Sequence, residues 1–265
     1  MTADSITPPA PQYPPGRNLL AGQTVLVTAA AGTGIGFAAA KRCLEEGARV
    51  FVSDIHERRL GEAVERLRAA GAQQVFSKSC DVTRQSDVDA LVSSAIETLG
   101  HIDVLINNAG LGGTANVVDM TDIEWSRVID VSLTSVMRMT RAILPHMQDR
   151  RRGAIVNNAS VLGWRAQAGQ SHYAAAKAGV MAFTRCAALE AAPHGVRINA
   201  VAPSIAMHAF LAKTTTPELL AELARREAFG RPAEVWEVAN AMIFLASDLS
   251  SYMTGEILSV SSQHP

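Results

Sequence analysis

Thr24–Gly36 reads TVLVTAAAGTGIG, and its two halves follow different rules. Thr24–Thr28 is a short apolar run without alternation, which predicts a strand buried on both faces. The run passes through Ala29, Ala30, Ala31, Gly32 and Thr33 into Ile35–Glu46, which has helical spacing and is closed by Gly47. Strand, turn of small residues and helix make the first unit of a doubly wound fold. The helix opens near Gly34, where free N–H groups and the positive dipole end suit a pyrophosphate. Ala30, Gly32, Thr33, Gly34 and Ile35 are therefore candidate contacts. The spacing is GxGxG rather than GxGxxG, and a glycine turn alone is weak evidence.

The same alternation continues along the chain. Arg49–Ser53, Gln74–Lys78, Asp103–Ile106, Ala154–Asn157, Val196–Val201 and Glu256–Val260 predict strands. Glu57–Ala70, Gln85–Leu99, a long segment from about Thr121 to Met147, Ser171–Ala191 and Glu234–Ala246 predict helices, with a kink expected at Pro145. Repeated βαβ units imply a parallel sheet with right-handed crossovers. The expected architecture is an α/β, Rossmann-type doubly wound parallel sheet in a three-layer sandwich, a single domain over residues 19–265. Residues 1–18 hold five of the eleven prolines and lack the basic start and apolar middle of a signal peptide. They read as a Pro-rich flexible tail, with a docking peptide as the alternative.

Composition excludes several functions. Among 265 residues, Lys+Arg is 24 and Asp+Glu 25, a formal net charge of −1, so no broad basic face for nucleic acid or anionic lipid is expected. The three cysteines, Cys43, Cys80 and Cys186, form no CxxC pair. Neither a disulfide framework nor a thiolate metal site is expected, and a reducing, cytoplasmic setting fits. No apolar run approaches the roughly 20 residues of a membrane span.

Two constellations carry chemistry. Asp54 follows the second strand, 18 residues after Gly36. An acidic residue there accepts hydrogen bonds from the adenosine ribose and repels a 2′-phosphate. Its sequence neighbours, Ser53 and Ile55, carry no compensating cation, so NAD is expected over NADP. Asp54 as the cap of the helix near Glu57 is the alternative. Ser160, Tyr173 and Lys177 form the second set. Tyr173 and Lys177 stand at i and i+4 on one helix face. A tyrosine hydroxyl is a poor base near neutrality. Lowering its pKa by about three units needs about 4 kcal/mol of preferential stabilisation, a demand suited to an ammonium plus an oxidised nicotinamide. A YxxxK pair by itself is commonplace.

Taken together, residues 20–262 resemble a short-chain dehydrogenase/reductase. The motifs are the turn 28–36, Asp54, Cys80-Asp81-Val82, Asn107-Asn108-Ala109-Gly110, Ser160, Tyr173-Ala-Ala-Ala-Lys177, Asn199–Pro203 and Tyr252-Met-Thr-Gly255; Ser160 precedes Tyr173 by 13 residues. The resemblance implies Tyr173 as general acid/base, Lys177 holding the nicotinamide ribose and lowering the tyrosine pKa, and Ser160 orienting the substrate oxygen. It implies cofactor contacts at Asp81, Val82, Asn108, Gly110 and Pro203, and a homotetramer built on the long helices 121–147 and 171–191.

Four features depart from the family pattern. The turn is one residue longer than TGxxxGxG and begins Thr-Ala. Ser132 stands where the family has a catalytic Asn. Ser204 follows Pro203 in place of glycine. The tail runs Ser259-Val-Ser-Ser-Gln263. Trp164, Arg165, Met207 and Phe210 lie on loops expected to frame the substrate, with apolar character for a bulky alicyclic or acyl group and Arg165 for an anion such as a CoA phosphate. The loop 161–171, the SHYAAAK run and the tail resemble actinobacterial dehydrogenases that oxidise a ring hydroxyl of a steroid-derived indane acyl-CoA. The expected activity is NAD-dependent oxidation of a secondary alcohol on such a substrate. The alternatives are an NADPH-dependent 3-oxoacyl carrier-protein reductase and, because of Ser132 and the altered turn, a non-catalytic cofactor-binding protein.

Overall fold

The computed structural model describes residues 11–71, 74–208, 211 and 216–262. Seven strands, β1 (Thr24–Val27), β2 (Arg49–Asp54), β3 (Val75–Ser79), β4 (Val104–Asn107), β5 (Gly153–Asn158), β6 (Val196–Pro203) and β9 (Ile257–Val260), pair in parallel in the order β3-β2-β1-β4-β5-β6-β9. The strand order reverses between β1 and β4, so a crevice opens at their carboxyl ends. The apolar runs lack alternation because both faces are covered. Val25, Val27, Val50 and Val52 enter one core with helices α1 (Ile35–Glu45) and α2 (Glu57–Ala69). Leu26 and Phe51 enter the opposite core with α3 (Gln85–Leu99).

The long helix expected from Thr121 to Met147 is interrupted. The chain forms α4 (Asp122–Ile129), a single π turn at Asp130–Thr134, and α5 (Ser135–Asp149). Pro145 lies inside α5 without ending it. The 3.6-residue pattern does not reveal the extra residue, because α4 buries only Val128 ahead of the turn and shows no phase to compare with that of α5. Next comes α6 (Ser171–Ala191). A helix that the apolar pattern did not suggest, α7 (Pro217–Arg226), follows. Its signals were local: Thr216 accepts from Leu219 N at 3.3 Å as the cap, and Pro217 opens the first turn. The last helix is α8 (Val235–Ala246). Two-residue strands β7 (Ala206–Met207) and β8 (Ala233–Glu234) pair in parallel and hold the loop after β6.

Pro8 and Pro9 lie outside the described residues. From Tyr13 onward the Pro-rich segment lies against the body. Tyr13 Oη donates to Glu45 at 2.6 Å, and its ring meets Trp236 of α8 edge-on at 5.4 Å. Arg42 donates to the Pro14 carbonyl at 3.1 Å. In the basic run Arg150–Arg152, Arg150 donates to Asp103 at 2.9 Å and to the Ile102 carbonyl at 3.1 Å.

Candidate functional site

The glycine turn is built against β4. Thr28 Oγ1 accepts from Asn108 N at 3.0 Å and Ala109 N at 3.3 Å. Asn108 Nδ2 donates to the Ala29 carbonyl at 3.0 Å and the Thr28 carbonyl at 3.3 Å. Ala29 takes a left-handed φ of 52°, which disfavours a side chain. Gly36 permits the approach, since a Cβ there would lie 2.3 Å from Ala29 O and 2.4 Å from Asn108 Nδ2. Ala30 N donates to Ser53 O at 2.9 Å. The Gly32 carbonyl accepts from Arg66 of α2. Thr33 is exposed, and Ile35 is the first residue of α1.

A Cβ on Gly32 would meet nothing within 4 Å, and one on Gly34 only the His208 ring at 4.0 Å. Gly34 supplies no side-chain cap to α1. Open space over an uncapped helix start is a cradle for a diphosphate, so these residues fit a dinucleotide.

At the end of β2, Asp54 Oδ2 accepts from Ala31 N at 3.2 Å and Oδ1 from His56 N at 3.0 Å. Burial pushes its carboxyl up, opposed by the Ala31 N–H and by Arg59. Arg59, five residues along on α2, is a cation that the sequence neighbours did not disclose. Asp81 is engaged by Thr83, accepting from its N at 3.0 Å and Oγ1 at 2.7 Å. Val82 is half-buried against the α3 side of the core. Pro203 closes β6, buried beside Val260.

Ser160, Tyr173 and Lys177 come together across β5 and α6. Ser160 is nearly buried, its Oγ accepting from Leu162 N at 3.2 Å. Tyr173 shares a hydrogen bond with Ser160. Lys177 is 2% exposed, donates to the Asn158 carbonyl at 2.6 Å, and its Nζ lies 5.5 Å from the Tyr173 ring centre. Burial lowers the Lys177 pKa to about 8. Burial also pushes the Tyr173 hydroxyl up, opposed only by the Ser160 hydrogen bond. The expected lowering belongs to Lys177 together with an oxidised nicotinamide; in the chain alone burial dominates and the direction is up. The ammonium is itself buried and spends a hydrogen bond on the Asn158 carbonyl rather than on the phenol.

Ser132 sits in the π turn, fully buried. Its Oγ accepts from Leu111 N and donates to Leu111 O, both at 2.9 Å. One hydroxyl therefore pins the backbone just after Gly110. A Cβ on Gly110 would lie 3.4 Å from Lys177 Nζ, so this backbone borders the ammonium. On the substrate side, Trp164 is exposed four residues after Ser160, and Arg165 is half-buried on the same loop. Met207 is half-buried in the β7–β8 pair. Phe210 and Gln263 lie outside the described residues.

A family model described as "Enoyl-(Acyl carrier protein) reductase" matches residues 29–262. The chain belongs to the short-chain dehydrogenase/reductase family. It is 63% identical over 257 residues to the "(5R,7aS)-5-hydroxy-7a-methyl-1-oxo-2,3,5,6,7,7a-hexahydro-1H-indene-carboxyl-CoA reductase" of Mycobacterium tuberculosis, covering 97% of this chain and 98% of that one. It is 40% identical to the cis-4-hydroxycyclohexanecarboxylate dehydrogenase of Sinomonas cyclohexanicum, over 90% of this chain and 95% of that one. A crystal structure of a short-chain dehydrogenase from Mycobacterium smegmatis superposes with a TM-score of 0.87 at 58% identity, covering 97% and 99% of the two chains. As a short-chain dehydrogenase/reductase the protein is an oxidoreductase that uses a nicotinamide cofactor, NAD or NADP. Sequence reasoning gave no role to Thr28, although it opens the turn motif 28–36, and missed Asn158, which lies beside recognised motifs without belonging to one.

Proposed function

We propose that this chain interconverts a ring hydroxyl and a ketone on a bulky alicyclic CoA thioester, with NAD as cofactor and oxidation as the favoured direction. The observation that carries the reading is the assembly of Ser160, Tyr173 and Lys177 beside Gly110 at the switch point of the sheet. The relatives that act on a hydroxy-indene carboxyl-CoA and on a hydroxycyclohexanecarboxylate support the substrate class.

A bound nicotinamide would supply hydride exchange and, in its oxidised form, a positive charge. The glycine turn would hold its diphosphate, and Asp54 its adenosine ribose. Asp81, Val82, Asn108, Gly110 and Pro203 would line the remainder. Ser160 holds the substrate oxygen, and Tyr173 Oη takes its proton in oxidation or returns it in reduction. Burial keeps Tyr173 a phenol in the chain alone, the form that donates a proton. Acting as a base requires the phenolate, which the Lys177 ammonium and an oxidised nicotinamide favour together. Trp164, Met207 and Phe210 would frame the ring, and Arg165 the CoA phosphates.

Assay of hydroxycycloalkane-carboxyl-CoA thioesters with each dinucleotide tests this. At least tenfold higher kcat/KM with NAD than NADP is expected, since Asp54 faces a 2′-phosphate with like charge. Preference for NADP, or turnover confined to 3-oxoacyl thioesters, would overturn it.

The same proposal includes a cytoplasmic homotetramer. Leu189 of α6 is 77% exposed and Ile123 of α4 80% exposed, apolar surface on the elements expected to pair. Among the described residues no helix is long and apolar enough to cross a membrane. Light scattering should give four times the chain mass; a monomer refutes the assembly.

A further inference from the structure

We infer that Asn158 is a positioning residue for Lys177, tying the ammonium's carbonyl anchor to the glycine turn through side-chain hydrogen bonds. The inference rests on Lys177 acting as proposed above. Asn158 closes β5, two residues before Ser160, and its carbonyl accepts from Lys177 Nζ at 2.6 Å. Its Nδ2 donates to Asn108 Oδ1 at 3.0 Å, and Asn108 Nδ2 donates to Ala29 O at 3.0 Å. Three links therefore join the left-handed residue of the turn to the ammonium.

The direction of each link is forced. Asn108 cannot reverse its amide without losing both the Ala29 and Thr28 carbonyls. Its Oδ1 is thus a fixed acceptor, and position 158 must donate. Gly36 lets the Asn108 amide sit this close to α1, since a Cβ there would lie 2.4 Å from its Nδ2. A displacement of the turn is therefore passed to Asn158. The Asn158 backbone is itself held by the β5–β6 pairing opposite Val201.

Asn158 carries an energetic mark of this role. Its Oδ1 is buried with no hydrogen-bond partner. An unpaired buried acceptor destabilises a fold, and an apolar side chain would avoid it. A local violation of this kind is expected where placement of a reacting group outweighs stability. Within the linked run only Lys177 titrates, with Tyr173 one turn before it on α6.

Three variants test the link. Asn158→Leu keeps the number and branching of heavy atoms and removes the donor. It should lower kcat/KM about tenfold through misplacement of Lys177. It should also weaken NADH binding by fluorescence about threefold, move the alkaline limb of the pH profile to lower pH, and leave Tm nearly unchanged. Asn158→Asp, when protonated, can donate to Asn108, so its rate relative to wild type should fall as pH rises. An Asn158→Leu protein with a lowered Tm but unaltered pH profile and NADH affinity has lost only packing, and overturns the inference. Lys177→Met separates the two levels. If it is inactive while Asn158→Leu behaves as wild type, only the inference fails. If it keeps full activity, the underlying role of Lys177 fails and the inference goes with it.

Discussion

Tyr173→Phe should lower kcat about 10³-fold, the scale of a lost general acid/base, while NADH binding stays within about threefold of wild type. The substitution removes one oxygen from a partly buried ring whose one described hydroxyl partner is Ser160. Ring packing is kept, so Tm should move by no more than a few degrees. A variant with undiminished turnover would remove Tyr173 from the mechanism; one with a collapsed Tm would show that its role is in the fold. The pH dependence has two signs. Activity that needs the Lys177 ammonium should fall above about pH 8, because burial places its pKa there. Stability should respond in the opposite sense. The folded pKa of about 8 lies below the ordinary 10.5, so the unfolded chain binds more protons between those values. This group's contribution to stability therefore rises with pH across that window. A kcat/KM profile flat through pH 9 would contradict the assignment.

Arg42→Leu should cost about 3–5 kcal/mol, the scale of breaking a buried ion pair. Arg42 is 4% exposed and its partner Glu46 1%. The guanidinium donates to Glu46 Oε1 at 2.5 Å, Glu45 Oε2 at 2.9 Å and Asn240 Oδ1 at 3.0 Å. Glu46 Oε2 also accepts from Arg17 N at 2.8 Å and Leu19 N at 3.1 Å, which pins the entering chain to the end of α1. Removing the cation leaves a carboxylate buried with backbone donors alone. At roughly 2–4 °C per kcal/mol for a chain of this size, Tm should fall by about 10 °C in a calorimeter. The double substitution Arg42→Leu with Glu46→Leu should recover part of that loss, since the unpaired charge goes too. The pair lies about 10–16 Å along α1 from its amino end, so activity in the cold should be retained. A Tm within 2 °C of wild type would show that water reaches Glu46.

The strand runs were legible because both faces of a parallel sheet are covered. Val25 and Leu26 enter opposite cores, so the sequence reads apolar at both positions. The helix stops were legible as glycines with positive φ, Gly47, Gly71 and Gly100. The site was legible where chemistry depends on local spacing, as in Tyr173 and Lys177 one turn apart. The π turn at Ser132 was not, because α4 buries only Val128 ahead of it, too little apolar pattern to show the phase step of one inserted residue. Nor was Arg59 beside Asp54, since i+5 across a strand-to-helix turn becomes a neighbour only after the turn folds.

The amino-acid order alone thus determined the repeated βαβ units, the open helix start at Gly34 and the three residues able to handle a proton. These rest on periodicity and i,i+4 geometry, which act within a few residues. Tertiary structure decided how those residues are tuned. Burial raises Tyr173 and lowers Lys177, and the run from Ala29 through Asn108 and Asn158 to Lys177 joins four separate segments of the chain. Desolvation and long-range hydrogen bonds depend on what packs around a group, and that is set only when strands β1, β4 and β5 lie side by side.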